Sequence, residues 1–563
     1  MDPLAGLSGV ALTDRGRRAW WSAADPDRPG RSRVHSVADD DAEARREPHH
    51  ADPTAHLHGY PGRGWVATER GLVLPTVRDD PDLHGPAVFA EPCLLGGAVV
   101  AVREQRRDPR RSLVVRRPDG SWSVAWSGTA FVGGLEPSPD GRQLAWLAWD
   151  AGEMPWDAAR LMVGSLVDGQ VRGARVVAGG PGRSAQPAAW TSAATLVTST
   201  EESGRWQPCE LSVRDGEVTR RWHHPGEVGI PYWRAGTRSL VATSSGVHAL
   251  IDGHLWRLDA DRVTPVDPHG HWSPWLAGQD RHLLGVRESA TAAPALTRVD
   301  ASTGTVRVVV PGRPHATLSP EPDVIGLGVD GLAAVKVYKP PGTGPWPTVL
   351  VVHGGPTLAT PTLLDVGLRW LLDAGHAVAV ADHTGSAGNG RGFRDALNGR
   401  WGDLEVDDCL RAGRALLDRR VGTSIAIRGI SAGGWTALHA LARHDTPFAA
   451  GVAYAPVTDV EAQRHETPDF EKSYVDRLMG PVDRSPIRSA PPRRPVLIVQ
   501  GEDDEVVRPE TTARYVRRAR DLGAEVEYLR VVREGHLFSS RSGIEQSRAA
   551  ELAFYRRELG SSR

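Results

Sequence analysis

A serine enclosed by glycines, in Gly429-Ile430-Ser431-Ala432-Gly433-Gly434, follows a short apolar run at 424–427 and precedes a helix-like run at 435–443. Strand, sharp turn and helix in that order describe a nucleophile elbow, which lifts a serine hydroxyl clear at the end of a sheet. The glycines are a steric requirement. The turn forces the serine into a strained backbone conformation, and a Cβ two residues to either side would collide with it.

In an open parallel sheet the partners of such a serine arrive on loops at the carboxyl ends of later strands. Two such loops follow. The apolar run at 495–500 ends in Gly501-Glu502-Asp503-Asp504, and the run at 525–532 is followed by Arg533-Glu534-Gly535-His536. Ser431, Asp504 and His536 therefore stand in the chain order Ser…Asp…His, the order of an α/β-hydrolase rather than of the other serine-triad folds. In this reading Ser431 is the nucleophile, His536 the base and Asp504 the acid that orients it, and the backbone N–H of Ala432 donates to the oxyanion.

The surrounding text agrees with a doubly wound, mostly parallel sheet. Strands are expected at 348–352, 377–381, 424–427, 451–454, 496–499 and 526–532, and helices at 362–372, 405–418, 509–520 and 545–558. Strand alternating with helix at this spacing is the signature of βαβ units.

Before Pro320 the period changes. Short alternating strands recur between Asp-Gly turns, at 119–120, 140–141, 168–169, 215–216 and 252–253, and Asp-Gly between strands signals a hairpin. At about 40 to 45 residues per four-stranded blade, this stretch predicts an all-β propeller of about seven blades; a pair of β-sandwiches is the competing architecture. The expected domains are a propeller over 1–318 and a hydrolase over 319–563. Most of the 19 tryptophans fall in the first half, where packing between blades accounts for them.

The formal net charge of −2 argues against a nucleic-acid or anionic-membrane partner. Three scattered cysteines, no leader-like N-terminus and no apolar run of membrane-spanning length predict a soluble cytoplasmic protein. No cofactor and no metal site is expected. His56 and His58 lack a third ligand at plausible spacing and read as loop and strand residues. A homo-oligomer is left open.

Further motifs make the chain resemble the prolyl oligopeptidase family of serine peptidases, in its acylaminoacyl-peptidase and dipeptidyl-aminopeptidase-like branch. His353-Gly354-Gly355-Pro356 is similar to the family's oxyanion loop. Gly385-Ser386-Ala387-Gly388-Asn389-Gly390, Trp401-Gly402, Asp407-Asp408 and Glu534-Gly535-His536 resemble other signatures, and Met154-Pro155-Trp156-Asp157 resembles a blade motif. The resemblance implies a propeller that caps the hydrolase and filters substrates by size, and hydrolysis of short or N-acylated peptides. It makes the N–H of Gly355 the second oxyanion donor, and His353, Gly354 and Val506 candidates for the substrate side, with a structural role the plainer one for His353.

The chain also departs from the pattern. Val506 stands where many members have an arginine, Thr384 and Asn389 replace an arginine and a tyrosine, and Gly59 replaces a glutamate in His58-Gly59-Tyr60-Pro61-Gly62. A tailoring amidase, esterase or acyl transferase acting on a specialised metabolite is therefore the alternative enzyme. A propeller binding module with an inactive hydrolase is the non-enzymatic one.

Overall fold

The computed structural model describes residues 4, 7–25, 31–39, 41, 44–47, 52–57, 60–75, 87–105, 108–290, 292–312, 320–327, 334–360, 362–466 and 469–560. The chain divides into two compact units, Met1–Pro314 and His315–Arg563. The expected boundary at 318/319 and His58-Gly59 lie outside the described residues, as do the side chains of His56, Tyr60 and Pro61.

The first unit is a β-propeller. Among the described residues it holds six antiparallel sheets of four or five strands, spanning 9–46, 87–126, 131–179, 189–221, 240–267 and 271–311. The first strands of the second to fifth sheets each touch the following sheet, Gly9–Thr13 touches Ala277–Gln279 of the last, and Val66–Thr68 touches both Gly9–Thr13 and Ala87–Leu95, so the ring closes through that hairpin. Six blades replace the seven expected from length. The segment 54–73, long enough for part of another blade, forms two separate two-stranded hairpins instead of joining one sheet. Connections also consume chain: residues 222–239 contribute no strand to a blade, yet Trp222, Val228, Tyr232 and Trp233 from it are buried.

The Asp-Gly turns at 168–169 and 252–253 have positive φ at both residues (49° and 72°, 50° and 82°). That is the two-residue hairpin geometry whose twist matches the strands. Tryptophans pack the interior, as in Trp126 against Trp146 at 5.2 Å and Trp156 against Trp233 at 4.6 Å.

The second unit is an α/β-hydrolase with eight strands: β1 Asp323–Gly326, β2 Ala334–Tyr338, β3 Trp346–Val352, β4 Ala377–Asp382, β5 Gly422–Ile430, β6 Ala450–Tyr454, β7 Val496–Gly501 and β8 Val526–Val531. Their order is β1-β2-β4-β3-β5-β6-β7-β8; β2 is antiparallel to both neighbours, and all pairs from β4 to β8 are parallel. Because side chains alternate along a strand, β3 feeds two cores. Leu350 and Val352 pack with helices α1 Leu404–Asp418, α2 Ala432–Ala442 and α3 Pro509–Asp521 on one face. Val349 and Val351 pack with α4 Arg541–Glu558 on the other.

The helix expected at 362–372 is cut to Arg369–Asp373. Asp365 Oδ1 accepts the Gly367 N–H at 2.6 Å, a local turn that competes with helix. Cys93, Cys209 and Cys409 are buried thiols, and burial pushes the first two up to about 12 and about 11.

Candidate active site

β5 delivers the chain to Ser431, and α2 begins at the next residue. Ser431 has φ 55° and ψ −119°, outside the regions an ordinary side chain prefers. Its N–H donates to the Tyr454 carbonyl at 2.9 Å and its carbonyl accepts from Val457 N–H at 3.3 Å, so β6 and the loop after it pin the turn from both sides. The glycines leave no room for substitution. A Cβ on Gly429 would lie 2.0 Å from the Gly433 oxygen, and one on Gly433 would lie 2.3 Å from the Val352 oxygen.

Asp504 follows β7 and is buried, whereas Asp503 beside it is exposed. Asp504 Oδ1 accepts the N–H groups of Val506 and Val507, each at 2.9 Å, and Oδ2 accepts Gln500 Nε2 at 3.1 Å. The same Oδ2 lies 2.9 Å from His536 Nδ1, on the loop after β8. A carboxylate held by these donors stays in place opposite the ring and fixes its orientation. Val506, half-buried, also accepts Gln463 Nε2 on its carbonyl at 2.8 Å.

Among the described residues, Ser431 Oγ and His536 Nε2 have no hydrogen-bond partner. A nucleophile–base contact that closes only with substrate bound is common in serine hydrolases.

The residues expected to form the oxyanion loop follow β3. Gly354 lies against the elbow: a Cβ there would be 3.2 Å from the Ile430 oxygen and 3.5 Å from Ser431 Cβ. Gly355 has φ 116°, open to glycine alone in practice. Ala432 is the first residue of α2, where N–H groups lack an intrahelical acceptor.

His353 is engaged inside the fold. Nδ1 lies 2.8 Å from the Gly354 oxygen, Nε2 lies 2.8 Å from the buried Ser386 Oγ, and the ring stacks on His383 with centroids 4.5 Å apart. Burial, reinforced by the neighbouring His383, pushes its pKa down to about 3.

Two supports have roles that the sequence did not reveal, although Glu534 stands in the Glu534-Gly535-His536 motif. Gln500, the polar residue near the end of the otherwise apolar β7, accepts Thr512 Oγ1 at 2.8 Å while donating to Asp504. Glu534 is buried and accepts the N–H groups of Ser539 and Ser540 at 2.9 and 3.0 Å, as well as the Ser540 hydroxyl, which ties the His536 loop to the start of α4. A polar residue inside an apolar run was the only sequence signal for Gln500. Among the described residues no group of three or more His, Cys, Asp or Glu could hold a metal ion, and no helix is long and apolar enough to cross a membrane.

Elbow, following acid and final histidine, all at the carboxyl ends of parallel strands, define the serine-hydrolase class. Residues 364–562 match the model of the prolyl oligopeptidase family, so this part of the chain is a prolyl oligopeptidase family serine-peptidase domain.

Among curated relatives, dipeptidyl aminopeptidase BIII of Pseudoxanthomonas mexicana is 28% identical over 334 residues, 54% of this chain and 48% of its own. The human acylamino-acid-releasing enzyme is 26% identical over 265 residues, 43% and 36% respectively. The chain thus spans about half or less of the length of these curated relatives. Solved structures match more completely: a Mycobacterium tuberculosis puromycin-hydrolyzing peptidase aligns with TM-score 0.88 and 27% identity, and a puromycin hydrolase with 0.89 and 26%. Each match covers 100% of this chain and 97% of the other.

Proposed function

We propose that this protein hydrolyses amide bonds of short or N-acylated peptides through an acyl-enzyme on Ser431. Ser431 Oγ attacks the carbonyl carbon while His536 Nε2 takes its proton. Asp504 holds the imidazole in the required tautomer and stabilises the imidazolium. The oxyanion is received by the N–H groups of Ala432 and Gly355, each worth about 3 to 4 kcal/mol of barrier. His536 then protonates the departing amine, and water, deprotonated by the same ring, releases the acid.

The observation that carries this reading is the 2.9 Å pairing of His536 Nδ1 with an Asp504 carboxylate whose side chain is 0% exposed. The propeller's part is to limit substrates to small ones. Puromycin, in the names of two structural relatives, is a natural first substrate to try.

Turnover of puromycin, free-amine dipeptide anilides and acyl-amino-acid anilides, compared between the parent and Ser431→Ala, tests the proposal. Hydrolysis by the parent alone, with intact folded proteins left uncut, is the expected result. Val506, where relatives often carry arginine, favours a second reading, a tailoring amidase, esterase or transferase on a specialised metabolite. Ser431-dependent turnover of simple p-nitrophenyl esters but of no peptide amide would select it, and no turnover of either would leave a binding module.

A further inference from the structure

A cavity of about 500 Å³ opens within the hydrolase unit, a volume suited to a small-molecule fragment. It is walled by Leu537 and Phe538, the two residues after His536, by His353 and Gly354 of the oxyanion loop, and by Ile430, the residue before Ser431. Among the described residues, neither Ser431 nor His536 itself, nor any residue of α2 or of the segment after β6, nor Val506 or Val507 lines it. The cavity thus lies on one flank of the elbow, the flank that carries the histidine loop.

The wall is apolar and aromatic. Trp370 and Phe538 contribute rings, the latter edge-on to Tyr454 with centroids 5.5 Å apart. Leu537 is 52% exposed, a large apolar side chain left in solvent beside the histidine. Such a residue gains when an apolar group covers it.

The polar groups at the floor are already satisfied. Arg428 Nε meets Glu551 Oε1 at 2.8 Å, and Tyr454 and Tyr555 donate to the same carboxylate at 2.6 and 2.8 Å. Arg548 donates to the Gly367 carbonyl at 3.1 Å. The Arg428 charge is neutralised where it lies, and Asp365, which lines the same cavity, and Glu551 both act on Arg548, so the cavity makes no strong demand for an anion and suits an apolar or aromatic group.

In a serine hydrolase the histidine that deprotonates the nucleophile later gives that proton to the departing group, so the departing group lies on the histidine side of the tetrahedral carbon. The C–N bond breaks, the Oγ–C ester remains, and the proton passes from His536 Nε2 to the amine nitrogen. Given the roles proposed for Ser431 and His536, on which this assignment rests, we infer that the cavity receives the leaving-group side of the scissile amide, and that the enzyme selects amines carrying an aromatic or apolar group.

The test compares the methylamide and the 2-phenylethylamide of one acyl-amino acid, whose amines are alike in basicity and differ in apolar reach, together with the p-nitrophenyl ester of the same acid. The parent is expected to favour the 2-phenylethylamide in kcat/KM by about tenfold or more. Ile544→Trp, which fills the cavity from α4, should abolish that preference while leaving methylamide turnover and the deacylation rate measured with the ester within about twofold.

Should Ile544→Trp fail to fold, Leu537→Ala, at a half-exposed position, decides the matter by the same ratio: the preference falls severalfold or the inference fails. A change in deacylation or in acyl-group choice would place the acyl side in the cavity and overturn the assignment. Ser431-dependent turnover without any amine preference overturns this inference alone, whereas no turnover of amide or ester overturns the proposed function with it.

Discussion

The loop after β8 and the loop after β3 each carry a histidine beside glycine, and the two side chains are put to different uses. His536 keeps 15% of its side chain exposed and faces a buried carboxylate through Nδ1. His353 has no carboxylate on either nitrogen; its ring lies between Gly354, Ser386 and His383. Burial, with His383 alongside, disfavours the imidazolium more than the nearby Asp382 favours it, which is why the pKa of His353 is pushed down to about 3. A histidine that resists protonation is a poor general base and a good fixed strut. The comparison teaches that the partner across the ring, more than the residue type or the strand end, separates a candidate base from a brace for the oxyanion loop.

The sharpest way to break this contrast is at the acid. Asp504→Asn should depress kcat by about 10⁴-fold through the wrong imidazole tautomer, read by steady-state kinetics on the best anilide substrate. A loss under tenfold would show that the carboxylate partner does not distinguish the two histidines.

Next in size is the elbow that both loops surround. Gly429→Ala must push a Cβ to 2.0 Å from the Gly433 oxygen, so the turn has to move. Turnover should fall by about 10²-fold or more, because small displacements of a nucleophile cost that much; near-normal kcat with an unchanged melting curve would refute the steric account.

His353→Gln should cost far less, about tenfold in kcat, since it disturbs the oxyanion loop without removing a proton acceptor. It also carries a pH signature. The folded ring titrates at about 3 and an unfolded one near 6.5, so between those values the unfolded chain binds a proton that the folded one does not, and stability falls as pH falls through this window. The variant should lose that contribution, and its unfolding free energy should depend on pH in this window by about one proton less; an unchanged slope would contradict the burial argument.

Smallest of all, Asp503→Asn should leave kcat within about twofold, because that carboxylate is exposed and outside the His536 hydrogen bond.

How much of this could be read from the chain follows from where each cause resides. Strands β3 to β7 of the hydrolase were legible because both of their faces are largely buried and the runs are nearly all apolar, whereas β1 and β2 were not expected, and β1 is mostly exposed at the sheet edge. Glycines 429, 433 and 434 were legible because steric exclusion leaves a fixed trace in sequence. The blade count was not: chain length predicts blades only if connections are short, and 222–239 spends its residues on a buried crossing without strands. The helix over 362–372 failed where an aspartate side chain satisfied the backbone locally. Gln500 and Glu534 act through neighbours brought close by folding, Thr512 and Asp504 for one and the start of α4 for the other, and one sequence carries little record of such pairings. The cavity beside Leu537 was invisible for the same reason, since its walls come from β3, β5, the His536 loop and α4.

The most direct test of the central claim, that Ser431 is activated by the His536–Asp504 pair while His353 plays no part in proton transfer, is labelling by a fluorophosphonate probe with the adduct mapped by peptide mass spectrometry. An activated serine reacts far faster than any ordinary hydroxyl. The account predicts one adduct, on Ser431, lost in Ser431→Ala, strongly slowed in His536→Gln and slowed by no more than about tenfold in His353→Gln. Labelling that survives Ser431→Ala, or that depends on His353 rather than His536, would contradict it.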